Sequence, residues 1–223
     1  PAALSGVNLD IKPGEKIGVC GRTGAGKSTL LSVLFSLGPL SAGEVKVTEH
    51  NLADISCREV RHAVAIVPQS PTLFEGTVRD NLVGGNPNKE EGNDDFLLST
   101  LRTCRLEVLA DRGLDGSIGS LSDGQRQLFC VARALVRRPK ILVLDEATAD
   151  LDQESANELL RVVEDEFSDI TVISIAHRLN FIKKCDRILV LHAGGTVDAF
   201  DTPEKLLEDH EGYFARQLAE ENA

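Results

Sequence analysis

Residues 21–28 read Gly-Arg-Thr-Gly-Ala-Gly-Lys-Ser, a G-x-x-x-x-G-K-[ST] pattern that constrains this chain more than any other stretch. Before it, Ile17, Gly18, Val19 and Cys20 make an apolar run of the buried-strand kind. After it, Leu30, Leu31, Val33, Leu34 and Leu37 recur at helical spacing, with Gly38-Pro39 as a stop signal. Glycines allow backbone N–H groups to turn inward on an anion, and the following helix aims its positive end at the same place. The stretch is therefore read as a loop for polyphosphate. Lys27 would reach the β- and γ-phosphates and the Ser28 hydroxyl would meet Mg²⁺.

The chain's 223 residues are enough to bury a core, and its 42% hydrophobic and 26% charged content is ordinary for a globular protein. A net charge of −11 argues against a nucleic-acid partner, because phosphate backbones recruit Lys and Arg. The five cysteines, at 20, 57, 104, 130 and 185, show no metal-ligand spacing and are expected as reduced thiols. No signal peptide or apolar run of membrane-span length occurs, so the chain itself reads as soluble. It opens on Pro1 without a Met, close to a first strand, and is expected to be cut from something longer.

Along the chain, Val7 to Ile11 alternates as a half-buried strand should, and Pro13-Gly14 then suits the centre of a type II turn. Gly43 to Thr48 is a second short strand, which predicts a small antiparallel sheet beside a parallel core. Residues 57–62 read as a helix and 63–67 as a buried strand ended by Pro68-Gln69. From Thr77 to Arg138 the pattern is mostly helical, as in a subdomain inserted between two halves of the core. Its best helix opens at Leu121-Ser122-Asp123-Gly124-Gln125, where Ser122 and Gln125 complete a capping box that needs no ligand. Leu128, Val131, Ala132, Leu135 and Val136 form its apolar stripe, and Pro139 stops it. Ile141 to Leu144 is a continuous apolar run ending in Asp145-Glu146. Two carboxylates at the tip of a buried strand are costly unless a cation or substrate uses them. The first is a candidate for Mg²⁺ and the second for polarising a water. A helix at 156–167, a strand at 172–175 and His177 follow, then a hairpin around Gly194-Gly195 and a helical segment from Thr202.

Five signals, in this order, resemble the ATP-binding domain of ABC (ATP-binding cassette) transporters: GRTGAGKS at 21–28, PQS at 68–70, LSDGQ at 121–125, ILVLDEATADLD at 141–152 and AHRL at 176–179. The wording is similar to the second nucleotide-binding domain of the multidrug-resistance-protein subfamily, notably at residues 11–28 and 73–82. The resemblance implies an α/β fold, a P-loop NTPase core of mixed, mainly parallel sheet with a flanking antiparallel β subdomain. The core would span 1–76 and 139–223, and the inserted α-helical signature subdomain 77–138. It implies an Mg²⁺-dependent ATPase, active when paired head-to-tail with a second ATP-binding domain. That pair would drive transmembrane domains of an exporter from the cytoplasmic side of a membrane. Gly21, Arg22, Thr23, Gly24, Ala25, Gly26, Lys27, Ser28 and Thr29 would hold ATP, with Ser28, Gln69 and Asp145 on the magnesium side. Glu146 would be the base for the attacking water, with His177 and Gln69 assisting. Ser122, Gly124 and Gln125 would face the ATP of the partner domain, and Ala149 to Asp152 would form the turn that crosses to it.

Three departures qualify this. Asp123 stands where the family carries glycine, which should weaken the nucleotide site this helix serves. Residues 114–121 lack the family's Glu-containing loop, so coupling through that loop is expected to differ. No aromatic precedes Phe35, so the adenine-stacking ring is expected upstream of Pro1. A weakly hydrolysing nucleotide-gated module and a soluble, non-transport ABC ATPase are the alternatives.

Overall fold

Short-range signals set most of the element boundaries. The computed structural model describes residues 3–38, 40–84, 93–176 and 178–221. The elements begin with β1 (Lys16–Gly21), α1 (Lys27–Leu34), β2 (Lys46–Val47), β3 (His50–Asn51), α2 (Cys57–Ala63) and β4 (Val64–Val67). Next come α3 (Val78–Val83), α4 (Asp94–Thr103), α5 (Glu107–Arg112), α6 (Asp123–Arg137), β5 (Ile141–Asp145) and α7 (Gln153–Glu166). The remainder are β6 (Thr171–Ile175), α8 (Leu179–Ile182), β7 (Arg187–Leu191), β8 (Val197–Asp201), α9 (Pro203–Glu208) and α10 (Tyr213–Glu221). The fold class expected from the sequence holds: mainly parallel strands, a flanking antiparallel pair (β2 with β3) and covering helices.

The chain forms two compact units, Pro1–Val64 with Asp169–Ala223, and Ala65–Ser168. In the first, strands run in the order β6-β1-β7-β8. β1 is parallel to both neighbours, with Val19 opposite Ile175 on one side and Leu189 on the other. Neighbours on both edges, with helices α1 and α8 packed on the sheet, leave Ile17, Val19 and Cys20 almost fully buried. β8 returns antiparallel to β7. Cys20, Ile188 and Val190 meet Leu179 and Ile182 of α8 and Phe214 and Leu218 of α10 in one apolar cluster. Burial pushes the Cys20 thiol up to about 12, against the opposing pull of Lys27, so this cysteine is an inert packing residue.

In the second unit β4 lies beside β5, and α6 packs on α3, α4 and α7. Burial on α6 is broader than the expected stripe, since Gln127, Phe129, Cys130 and Ala134 are also buried while Leu135 is only half-buried. Arg133 of α6 ties down the segment before α3. Its guanidinium donates to the carbonyls of Thr72 and Asn81 at 2.7 Å each, and the Asn81 side chain holds Phe74 in both directions at 2.8 Å. The short link at 114–121 is itself structured: Arg79 N–H donates to Leu114, Val78 N–H to Gly116, and Ile118 N–H to Gly76.

Two expectations are corrected. Val7 to Ile11 keeps its alternation of half-buried and exposed residues but is not a strand. Alternate burial requires only a surface to lie on, whereas a strand requires a ladder partner. Here the Asp10 carbonyl is taken by the Arg187 guanidinium instead. The first helix stops at Leu34, short of Gly38, because Ser36 turns left-handed at φ 51° and leaves Leu37 69% exposed. Pro39 and residues 85–92 of the stretch expected to be mostly helical lie outside the described residues.

Candidate functional site

The first unit carries residues 21–28, the candidate polyphosphate loop, at the C-terminal end of β1. Gly21, at φ 149°, adopts a backbone that L side chains rarely take, and a Cβ there would run into the Leu191 carbonyl. Gly26, at φ 97°, is the N-cap of α1 and supplies no side-chain cap. Arg22, Thr23, Gly24 and Ser28 are exposed, Thr29 is half-buried, and Ala25 is fully buried as the loop's anchor. The Lys27 side chain folds over the loop with only 8% exposure, donating from Nζ to Gly21 O at 2.8 Å and Arg22 O at 3.4 Å. An ammonium carries three N–H donors, so one remains for an anion.

The start of α1 differs from most of its counterparts, although the short α5 and α8 also lack a side-chain cap at their N-cap residue. α2, α3, α4, α6, α7 and α9 each begin with a Ser, Thr, Asn or Asp whose side chain accepts a backbone N–H. α1 has no such cap and no acid in its first turn. Its leading N–H groups are thus kept for something outside the helix, beside a positive side chain. That is a fit for phosphate oxygens.

The second unit carries the carboxylates. Asp145 ends β5 half-buried, and Glu146 follows at φ 51°, a left-handed conformation that costs a non-glycine residue about 1–3 kcal/mol. The Glu146 carbonyl accepts Ala149 N–H at 2.9 Å, and this turn leads to Asp152, which caps α7 through the N–H groups of Glu154 and Ser155 at 3.0 Å each. Those bonds, the Ser155 amide foremost, hold the Asp152 carboxyl below its ordinary range. Gln69 is exposed just past β4, and its Nε2 donates to Asp150 Oδ2 at 3.4 Å.

Ser122 and Gln125 form the capping box as expected. Ser122 Oγ accepts Gln125 N–H at 3.2 Å, and Gln125 Oε1 accepts Ser122 N–H at 3.1 Å. Asp123 is exposed in the first turn. Gly124 has a packing reason to be small, since a Cβ would stand 3.0 Å from Ser155 Oγ at the head of α7. Gly21 to Thr29 therefore cluster within the first unit, and Gln69 meets Asp150 within the second. His177 lies outside the described residues. Sequence reasoning passed over Gln127, which is buried at 3% exposure and donates to the carbonyls of Pro68 and Gln69. A glutamine two residues past a capping box carries no local signal of burial.

The described residues contain no group of three or more His, Cys, Asp or Glu arranged to hold a metal. Mg²⁺ does not need one, because it takes few protein oxygens and fills its shell with water and substrate phosphates. In the first unit the Ser28 hydroxyl is exposed, and in the second Asp145 is a half-buried strand-end carboxylate; each taken by itself is an oxygen donor of the type Mg²⁺ accepts.

A family model described as "ABC transporter" matches residues 4–149. An Arabidopsis thaliana protein, "ABC transporter C family member 3", is 42% identical over 99% of this chain. The Mus musculus "ATP-binding cassette sub-family C member 10" is also 42% identical, over 98%. The Saccharomyces cerevisiae "Oligomycin resistance ATP-dependent permease YOR1" is 38% identical over 96%. The chain spans only 15–16% of the length of these relatives. Among solved structures, a bacterial Atm1-family ABC exporter with ATP bound superposes at a TM-score of 0.86 and 30% identity, over 99% of this chain and 39% of the other.

Proposed function

The chain belongs to the ABC transporter family, and from that premise we propose that it is the ATP-binding and ATP-hydrolysing domain of an exporter. The observation that carries the reading is the uncapped N-terminus of α1 with the Lys27 ammonium folded over its loop. Backbone N–H groups of residues 22–28 would bind the β- and γ-phosphates, and the third N–H of Lys27 would bridge them. Ser28, Asp145 and Gln69 would hold Mg²⁺. Bound there, the ion would neutralise charge developing on the phosphate oxygens. Glu146 would orient the attacking water and accept its proton, and His177 would contact the γ-phosphate.

Residues 77–138 are assigned as the signature subdomain. In a head-to-tail pair, Ser122, Gly124 and Gln125 would face the nucleotide of a second ATP-binding domain. Among the described residues no helix is long and apolar enough to cross a membrane. Membrane segments would then belong to other parts of the parent protein, with this domain on the cytoplasmic side. Binding and hydrolysis would move them by closing and releasing the domain pair.

The test is Glu146→Gln in the intact protein that carries this chain. Hydrolysis should fall roughly 10²–10⁴-fold while ATP still binds. Undiminished hydrolysis would sink the assignment. One observation favours unequal sites: Asp123 sits exposed in the first turn of α6, where its charge would repel a partner's γ-phosphate. Asp123→Gly should then raise turnover at the partner's site and leave this chain's own site as it was. No change at either site would remove that reading.

A further inference from the structure

Gln127 lies in the second turn of α6, 3% exposed. Its Nε2 donates to two successive backbone carbonyls, Pro68 O at 3.0 Å and Gln69 O at 2.7 Å. Two carbonyl acceptors fix the direction of the amide, because the flipped form would set oxygen against oxygen. Its Oε1 is then buried with no hydrogen-bond partner among the described residues. A buried acceptor without a donor is destabilising, and an apolar side chain of the same shape would avoid that penalty. The amide therefore makes a poor packing residue, and what it does make is a grip on the Gln69 backbone.

The Gln69 side chain is engaged separately, through its Nε2 to Asp150 Oδ2 at 3.4 Å. The backbone of Gln69 is thus held by the helix that Ser122 caps, and its side chain by the turn that follows Glu146. Holding these two carbonyls fixes the Cα from which the Gln69 side chain starts, and the Asp150 contact then limits where its exposed amide can reach. We propose that Gln127 is a positioning residue that sets where the Gln69 oxygen can stand toward Mg²⁺. It makes Gln69 sensitive to any shift of the first turns of α6. This rests on the reading of Gln69 as a magnesium-side ligand. The incomplete satisfaction of Gln127 suits a grip that has to yield, since fully satisfied buried networks are rigid.

The experiment uses the intact protein carrying this chain, in a Glu146→Gln background with ATP present. Mn²⁺ replaces Mg²⁺ so that metal affinity is read by electron paramagnetic resonance. Gln127→Met, an apolar side chain of similar length, should weaken Mn²⁺ binding roughly tenfold, in the range of supporting residues around metal ligands. ATP affinity without metal should stay unchanged. Gln69→Ala should weaken Mn²⁺ comparably, and the double variant no further than Gln69→Ala alone, because both changes act through one side chain. Gln127→Asn keeps the donor on a shorter arm and should give a smaller loss, which serves if the Met variant unfolds. The proposal is overturned if Gln127→Met leaves Mn²⁺ affinity intact, or if the two losses add, while Gln69→Ala still weakens the metal. If Gln69→Ala itself has no effect, the magnesium-side reading of Gln69 fails and the proposal fails with it.

Discussion

Helices α1 and α6 both open on glycine-bearing segments that the sequence marks for phosphate, and they open in opposite ways. α1 starts from Gly26 with no cap, beside a lysine that has lost most of its exposure. α6 starts from Ser122 with its box closed in both directions and an acid in the first turn. The first leaves its N–H groups for a ligand and invests side-chain charge in holding it. The second satisfies its own terminus, so it needs no nucleotide to be stable. This difference suits the roles proposed for them, ATP binding at the loop and completion of a partner domain's site at the helix.

The comparison can be broken most severely at Gly26. Gly26→Ser would offer α1 the cap that α6 has, but at φ 97°, with a Cβ 2.9 Å from Ala3 O. Strain and overpacking together should cost about 2–6 kcal/mol, and thermal unfolding should drop accordingly. An unchanged melting temperature would show that the loop does not need its left-handed glycine. Next, Lys27→Ala removes a charge-assisted contact of about 1.5–3 kcal/mol. Calorimetry should find ATP affinity of the chain lowered roughly 10- to 150-fold. Ser122→Ala should cost about 1 kcal/mol, or about 2–4 °C in a chain of this size, with ATP affinity at residues 21–28 unaltered. If it weakened that affinity as Lys27→Ala does, the division of labour between the helices would be wrong.

The smallest effect concerns the support of β1 rather than its loop. Arg187 hydrogen-bonds both Glu15 oxygens, which holds that carboxyl below its ordinary 4.5. A depressed carboxyl stabilises the fold above its unfolded value and loses that contribution as pH falls through the folded one. The melting-temperature advantage of the native chain over Glu15→Gln should be present at neutral pH. It should shrink once the pH passes below 4.5. An advantage that persists into strong acid would mean that the pair contributes by packing, not charge.

Features legible in the sequence were those whose partners lie within a few residues. The Pro13-Gly14 turn closes through Glu15 N–H to Lys12 O at 3.1 Å, with Gly14 at φ 81°. The Ser122–Gln125 box spans three residues, as does Thr77–Asp80, which the sequence reading did not single out. Partners far along the chain were invisible. The four-residue α8 is capped by Glu221, whose oxygens accept the N–H groups of Leu179 at 2.7 Å and Asn180 at 3.1 Å. Nothing near residue 179 announces a carboxylate from residue 221. Arg133 reads as one more charge on an amphipathic helix, although it anchors Thr72 and Asn81.

By itself the sequence determined the strand–glycine loop–helix order around residues 21–28, most of the later strands and helices, and the capped start of α6. Each of these is written in backbone preferences and hydrogen bonds over one or two turns. Only the tertiary structure decided that Val7 to Ile11 is not a strand, because a ladder needs a neighbour and alternation does not supply one. It alone placed Lys27 over its loop and buried the amide of Gln127 against two carbonyls. Burial and donor–acceptor pairing at that range depend on which segments meet, and no local pattern carries that information.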